Sequence, residues 1–371
     1  MIIGIPKEVK NQEYRVGLLP HQVGALVKDG HELIVQTQAG IGVGFSDEDY
    51  IRAGAKISDA KQIFDCADLV IKVKEPLENE IAMLRPEQIL FTYLHLAPDT
   101  VQTNSLIASG ATAIAYETVR LKDGSLPLLA PMSEVAGRMS IQAAAHHLEK
   151  RQAGRGILIS GIPGVPAARV LILGAGIVGS NALQMAVGLG ANVTIVDKNI
   201  QRLRELDLIY GNKIRTAYSD DLILHELFKE SDVVVGAVLI PGGSAPKLLR
   251  REHIGQMQKG SVVVDVAIDQ GGCFETSQPT THDDPTFEVE GIIHYCVANM
   301  PGAVPRTSAY GLTNATFPYI QAIANKGFKK AILEHDDLRA GVSVFNQHLT
   351  CAAVAHSQKR PFKAIIDLIS K

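Results

Sequence analysis

Cysteine is scarce in this chain of 371 residues, and the four present, Cys66, Cys273, Cys296 and Cys351, stand far apart with no Cys-x-x-Cys pair. That spacing offers neither a zinc-ligand pattern nor a disulfide framework, so they read as reduced, mostly structural thiols, and no metal is expected. An excess of charge is missing too: 36 Lys and Arg face 39 Asp and Glu, a net charge of −3. This balance lacks the basic footprint of a nucleic-acid-binding protein, and a composition 46% hydrophobic and 20% charged excludes disorder. No apolar run reaches the ~18 residues of a membrane span, and Lys7, Glu8 and Lys10 fall where a signal peptide needs its apolar core. Repeats and low-complexity segments are absent as well. The expectation is a soluble, cytoplasmic protein with a small-molecule partner, no nucleic acid and no membrane.

Strand-like apolar runs alternate with helix-like segments almost throughout: "ELIVQT", "DLVIKVK", "QILFTYLHL", "TAIAYETV", then "RVLILG", "NVTIVD", "DVVVGAV", "SVVVDVA" and "GIIHYCVA". Such alternation predicts parallel sheets covered by helices, and the length suits two domains at roughly 150 residues each. After Pro131 the pattern changes. Ser133 reads as the N-cap of a helix, "EVAGRMSIQAAAHHLEKRQ", running to Gly154. The expected fold is α/β: two Rossmann-like domains with parallel sheets flanked by helices, separated by an active-site cleft. Residues 1–130 plus 306–371 would form one domain, the chiefly helical tail packing back on it, and 131–305 the other.

The second domain carries Gly174-x-Gly176-x-x-Gly179 between a buried strand and a helix, with Asp197 closing the next strand 18 residues past Gly179, where about 20 is usual. Gly174 makes the tight turn, Gly176 lets a pyrophosphate approach the backbone, and Gly179 lets helix pack on strand. The pyrophosphate then sits at the positive end of a helix. Asp197 accepts from the ribose hydroxyls and repels a 2′-phosphate, favouring NAD over NADP, while Lys198 and Arg202 nearby soften that preference.

Residues 4–20, "GIPKEVKNQEYRVGLLP", the fingerprint region 170–197 and "VVVDVAIDQGG" at 262–272 closely resemble the alanine dehydrogenase family, a relative of the nucleotide-binding part of proton-translocating transhydrogenase. The resemblance spans essentially the whole chain. It implies NAD-dependent, reversible oxidative deamination of L-alanine to pyruvate and ammonium, in a homo-oligomer, a hexamer. It departs at "VGLLP", where the family more often reads "VALTP", and at Gln278, where relatives are frequently basic. A pump subunit from the transhydrogenase side is the main alternative, and "AIDQGG" speaks for the amino-acid enzyme. A saccharopine- or lysine-pathway dehydrogenase would need a second charge cluster for its larger substrate.

With that resemblance, Arg15 is assigned to the substrate carboxylate, which wants a guanidinium fork, and Lys74 to the carboxylate or carbonyl. His95 is the general acid/base, because an imidazole titrating near ~6.5 can take and return a proton at neutral pH. The resemblance pairs it with Asp269, which would hold the amino group. Cofactor contacts are expected from Ser133, Gly174, Gly176, Ile177, Val178, Gly179, Asp197, Lys198 and Arg202. Resemblance adds Ser219, Val238, Leu239, Val266, Ala267, Ile268, Asp269, Val297, Ala298, Asn299 and Met300. Each catalytic choice has a structural rival: solvated charges for Arg15 and Lys74, a satisfied core imidazole for His95, a turn former for Asp269, a simple cap for Ser133. His146 and His147, adjacent on a helix, point about 100° apart and cannot make a zinc pair. His282 reads as a solvated loop residue.

Overall fold

The computed structural model describes residues 1–238 and 245–369. The chain divides into two compact units, Met1–Met132 with Val304–Lys371, and Ser133–Ala303.

The first unit opens with β1 (Ile2–Ile5), β2 (Glu32–Gln36), β3 (Lys56–Ser58), β4 (Leu69–Ile71), β5 (Ile89–Thr92) and β6 (Thr112–Ala115). The second contains β7 (Arg169–Leu173), β8 (Asn192–Asp197), β9 (Ile214–Tyr218), β10 (Val233–Gly236), β11 (Val262–Asp265), β12 (Thr286–Val289) and β13 (Ile292–Tyr295). β14 (Val342–Phe345) and β15 (His348–Leu349) return to the first sheet. The orders are β15-β14-β6-β5-β4-β1-β2-β3 and β12-β13-β11-β10-β7-β8-β9.

Both sheets are mainly parallel, as expected, with antiparallel pairing toward one edge of each. The interior strands pair in parallel, but β14 lies antiparallel to β6 and β15, and β12 antiparallel to β13. For β12–β13 and β14–β15 the reason is local. Asn346-Gln347 and Glu290-Gly291 are two-residue connections with both φ angles positive, the backbone of a tight hairpin turn matched to strand twist. The parallel strands are buried on both faces, as Val233–Val235 and Val262–Val264 are, so they show apolar runs rather than alternation.

Each sheet reverses direction once. In the first unit the chain builds outward from β1 to β3 and then restarts at β4 on the other side of β1; in the second the reversal falls between β7 and β10. The crevice at the carboxyl ends beside such a reversal is where open α/β sheets bind ligands. The loops after β1 and β4 carry Arg15 and Lys74, and the loop after β7 carries Gly174 and Gly176, with Gly179 in the first turn of the helix that follows.

Three sequence boundaries need correction. The helix expected to start at Ser133 spans Ala130–His147, with a separate single turn at Lys150–Gln152. Ala130 N bonds back to Leu126 O at 3.0 Å, and Pro131 sits in the first turn, where its missing N–H costs nothing, so Ser133 lies inside the helix and is not its cap. Lys74 lies beyond the end of β4, because Val73 N leaves the ladder to donate to Glu8 Oε1 at 2.7 Å. His95 lies beyond β5 on left-handed backbone, φ 50°, rather than on a strand.

Candidate active site

In the first unit the loop 6–19 is fastened to the loop after β4 by charge. Lys72, 0% exposed, places Nζ 2.8 Å from Glu80 Oε1 and 3.3 Å from Glu8 Oε2. Burial opposes the ammonium charge, yet the two carboxylates overcome it and hold Lys72 above the ordinary lysine pKa. Burial pushes Glu8 above the usual carboxylate range. A second tie joins Lys10 Nζ to Glu75 Oε1.

Arg15 is 2% exposed, and its guanidinium fork is already occupied: Nε and Nη2 grip Glu13 Oε1 and Oε2 at 2.7 and 2.5 Å, and Nη1 lies 3.0 Å from Met132 Sδ. The bidentate grip expected for a substrate carboxylate is thus spent on Glu13. A buried guanidinium left alone would be costly, and Glu13 more than offsets burial, raising the Arg15 pKa. The Arg15 charge also acts on buried Tyr93, whose phenol burial raises and whose hydroxyl donates to Leu128 O at 2.6 Å.

The Tyr93 and His95 rings stack 5.8 Å apart, 10° from parallel. His95 is exposed, and its N–H donates to Glu117 Oε1 at 2.7 Å, so Glu117 supports the left-handed turn. Strained backbone of this kind concentrates at functional sites. Half-buried Lys74 has its carbonyl fixed by Thr92 Oγ1 at 2.9 Å. Glu75 Oε2 is buried without a hydrogen-bond partner. Burial would raise the Glu75 pKa, but His95, Lys74 and Lys10 together pull it below the usual range. The structure therefore gathers Arg15, Tyr93, His95, Glu75 and Lys74 in one neighbourhood. Glu13, Glu75 and Glu117 were missed from sequence, although "KEVKNQEYR" and "KVKEP" place acids beside the basic residues selected.

In the second unit β7 leads into Gly174, φ 99°, where a Cβ would lie 2.9 Å from Ala237 O. A Cβ on Gly176 would meet nothing within 4 Å, leaving space over the N-terminus of helix Ile177–Gly188. Ile177 is exposed and Val178 half-buried there. Asp197 Oδ2 accepts from Ala175 N at 2.6 Å and Oδ1 from Asn199 N at 2.7 Å. Lys198 is exposed. Arg202 differs from expectation: Nε donates to Ala175 O at 3.0 Å, Nη2 to Ser180 Oγ at 2.8 Å, and Nη1 pairs with Glu205 at 2.7 Å. Its guanidinium braces the glycine loop rather than presenting a fork for a 2′-phosphate.

Buried Ser219 donates its N–H to Asp197 O at 3.1 Å. Val238 is half-buried, and Leu239 lies outside the described residues. Val266 N bonds Gly236 O at 3.0 Å, Ala267 and Ile268 are buried, and Asp269 is exposed on the turn Ile268–Gln270. Val297 and Met300 are buried, with Ala298 and Asn299 half-buried between them. Asn299 O meets His282 Nε2 at 3.1 Å, so His282 is half-buried and bonded, not the solvated loop residue expected. Among the described residues no cluster of three His, Cys, Asp or Glu could hold a metal, and no helix is long and apolar enough to cross a membrane.

Residues 4–136 match the alanine dehydrogenase/PNT N-terminal domain, and residues 140–352 match its C-terminal domain. The chain belongs to the alanine dehydrogenase/PNT family. Within that family it is 55% identical to an alanine dehydrogenase of Halomonas elongata, over 96% of each chain. It is 53% identical to one of Methanococcus maripaludis, over 98% of each. A solved L-alanine dehydrogenase superposes with a TM-score of 0.94 at 49% identity, covering 97% of this chain and 99% of the other. A transhydrogenase from Sinorhizobium meliloti reaches a TM-score of 0.81 at 23% identity over 95% and 100%, which shares the fold alone.

Proposed function

We propose that this protein is an NAD-dependent L-alanine dehydrogenase, converting L-alanine, NAD and water reversibly to pyruvate, ammonium, NADH and a proton. One observation carries the reading: 55% identity to an alanine dehydrogenase over 96% of both chains. The residues present suit the dinucleotide. The open space over Gly176 admits a pyrophosphate to a helix N-terminus, and Asp197 stands at the end of β8 where a ribose is received. Gly174, Ile177, Val178, Gly179, Ser133, Lys198, Ser219, Val238, Leu239 and the stretches 266–269 and 297–300 complete the proposed contacts, while Arg202 acts through the loop it braces. When bound, NAD supplies the hydride acceptor.

The chain's own residues do the rest. Arg15 and Lys74 bind the substrate carboxylate by charge, with Glu13 holding the Arg15 plane. Loss of hydride from alanine leaves an imine, which water attacks; His95 takes the proton of that water and returns one to nitrogen as ammonia leaves. Stacking on Tyr93 fixes the imidazole plane. Asp269 holds the amino nitrogen. A cytoplasmic homo-hexamer is the form the family resemblance implies.

The purified protein alone is expected to form NADH from L-alanine and NAD, and to consume NADH with pyruvate plus ammonium. Turnover that appears only after a membrane partner is added would turn the reading toward a transhydrogenase subunit.

A further inference from the structure

Asp269 sits on a turn whose supports reach well beyond the chemistry assigned to it. From Gln270 to Phe274, five consecutive carbonyls are all taken by the segment 245–249. Ala245 N donates to Gln270 O at 3.1 Å, and Leu248 N and Leu249 N donate to Cys273 O at 2.8 and 3.3 Å. The other three go to one side chain. Lys247 Nζ donates to Gly271 O, to Gly272 O at 3.0 Å and to Phe274 O at 3.2 Å.

Gly271 and Gly272 have φ of 87° and 77°, the left-handed backbone that turns neighbouring carbonyls toward a common point. Their N–H groups close the Asp269 turn, Gly271 N to Ile268 O and Gly272 N to Ala267 O, both at 3.0 Å. Behind the loop, buried Asp265 accepts from Cys273 N and Phe274 N, both at 3.1 Å, and from Ser277 Oγ at 2.6 Å. A Cβ on Gly272 would lie 2.6 Å from Asp265 Oδ2, so the loop is pressed against that carboxylate. An ammonium on one side and a carboxylate on the other thus clamp the same few peptides. Fixing a lysine on three carbonyls costs rotamer entropy, and an exposed lysine ordinarily stays in water.

We infer that Lys247 is a positioning residue for Asp269, its ammonium holding the double-glycine turn that aims the Asp269 carboxylate. The inference rests on the proposed role of Asp269, and a double-mutant cycle separates the two. Lys247→Met keeps the aliphatic stem and removes the donors. It is expected to lower kcat/KM for pyruvate about tenfold, the scale of a sub-ångström misplacement, with the NADH Kd within about twofold of the parent. Added to Asp269→Asn it is expected to change nothing further, and Lys247→Arg is expected to recover part of the loss. Full activity in Lys247→Met, or an equal loss in the parent and Asp269→Asn backgrounds, overturns the inference. Full activity in Asp269→Asn alone refutes the role of Asp269 and takes this inference with it. If Lys247→Met fails to bind NADH, Lys247→Gln, which keeps one donor group, enters the same cycle.

Discussion

A methyl group on Gly179 would lie 1.8 Å from the carbonyl oxygen of Gly174. No rotamer relieves that clash, because both atoms belong to backbone or Cβ. Gly179→Ala is therefore expected to push the helix Ile177–Gly188 off β7, raising the NADH Kd at least about tenfold and costing roughly 1–3 kcal/mol of stability. Fluorescence titration and urea unfolding read the two effects, and a parent-like Kd would refute the packing account.

Besides its proposed ribose contact, Asp197 holds the loop by accepting from Ala175 N and Asn199 N. Asp197→Ala is expected to weaken NAD binding and narrow the preference over NADP. Because Arg202 is committed to Ala175 O, Ser180 and Glu205, NADP affinity should rise little in the variant. Kd values for both reduced coenzymes decide it, and equal NADH affinity in parent and variant would remove Asp197 from the site.

His95→Ala is expected to cost roughly 10²–10⁴-fold in kcat, the range of a lost general acid/base, with the NADH Kd unchanged. Steady-state rates in both directions test it. An unaltered kcat would leave proton transfer without an owner in this chain.

Lys72→Met strands Glu8 and Glu80 in a dry interior. Breaking a buried charge network from one side typically costs about 3–5 kcal/mol, and a loss of that size is expected in urea unfolding. The sign with pH follows from Glu8, whose folded pKa lies above its unfolded 4.5: stability is full below that value and lost as pH rises through the folded one. Without Lys72 the Glu8 pKa rises further, so the penalty should shrink on going from about pH 8 to about pH 5. A penalty that grew in acid would contradict the network.

His294 is buried, with Nδ1–H donating to Ile292 O at 3.0 Å and Nε2 facing Thr276 Oγ1 at 2.7 Å. Burial lowers its pKa below the ordinary 6.5, so the unfolded chain binds the proton first. Its contribution is complete above 6.5 and falls away as pH drops from there through the folded pKa. His294→Gln is expected to flatten that part of the acid limb of stability, measured as the urea midpoint against pH; an unchanged slope would show that His294 does not contribute.

Much of this was readable beforehand because the signals were local. β8 was placed to the residue by "NVTIVD", since an apolar run ending in Asp at the fingerprint distance has few other readings. What failed was set by partners remote in sequence. Nothing near Val73 announces that it leaves its strand for Glu8, 65 residues away. His95 looked like a strand terminus because its left-handed φ depends on Glu117, a strand away. Arg202 shows only its charge in the sequence, while its bonds to Ala175 O, Ser180 and Glu205 depend on how the glycine loop folds. The hairpins at Glu290-Gly291 and Asn346-Gln347 were missed because neither pair carries the Asn-Gly or Asp-Gly signature of such turns.

The pairing of β14 with β6 has a bearing on biosynthesis. Val342 meets Ile114, so the first sheet cannot be finished until the chain has been made through Leu349. The unit Ser133–Ala303 emerges whole before that. Vectorial synthesis therefore lets the glycine-loop unit mature while its companion waits with the β6 edge unsatisfied, and that waiting edge is where a nascent chain would be most in need of a chaperone.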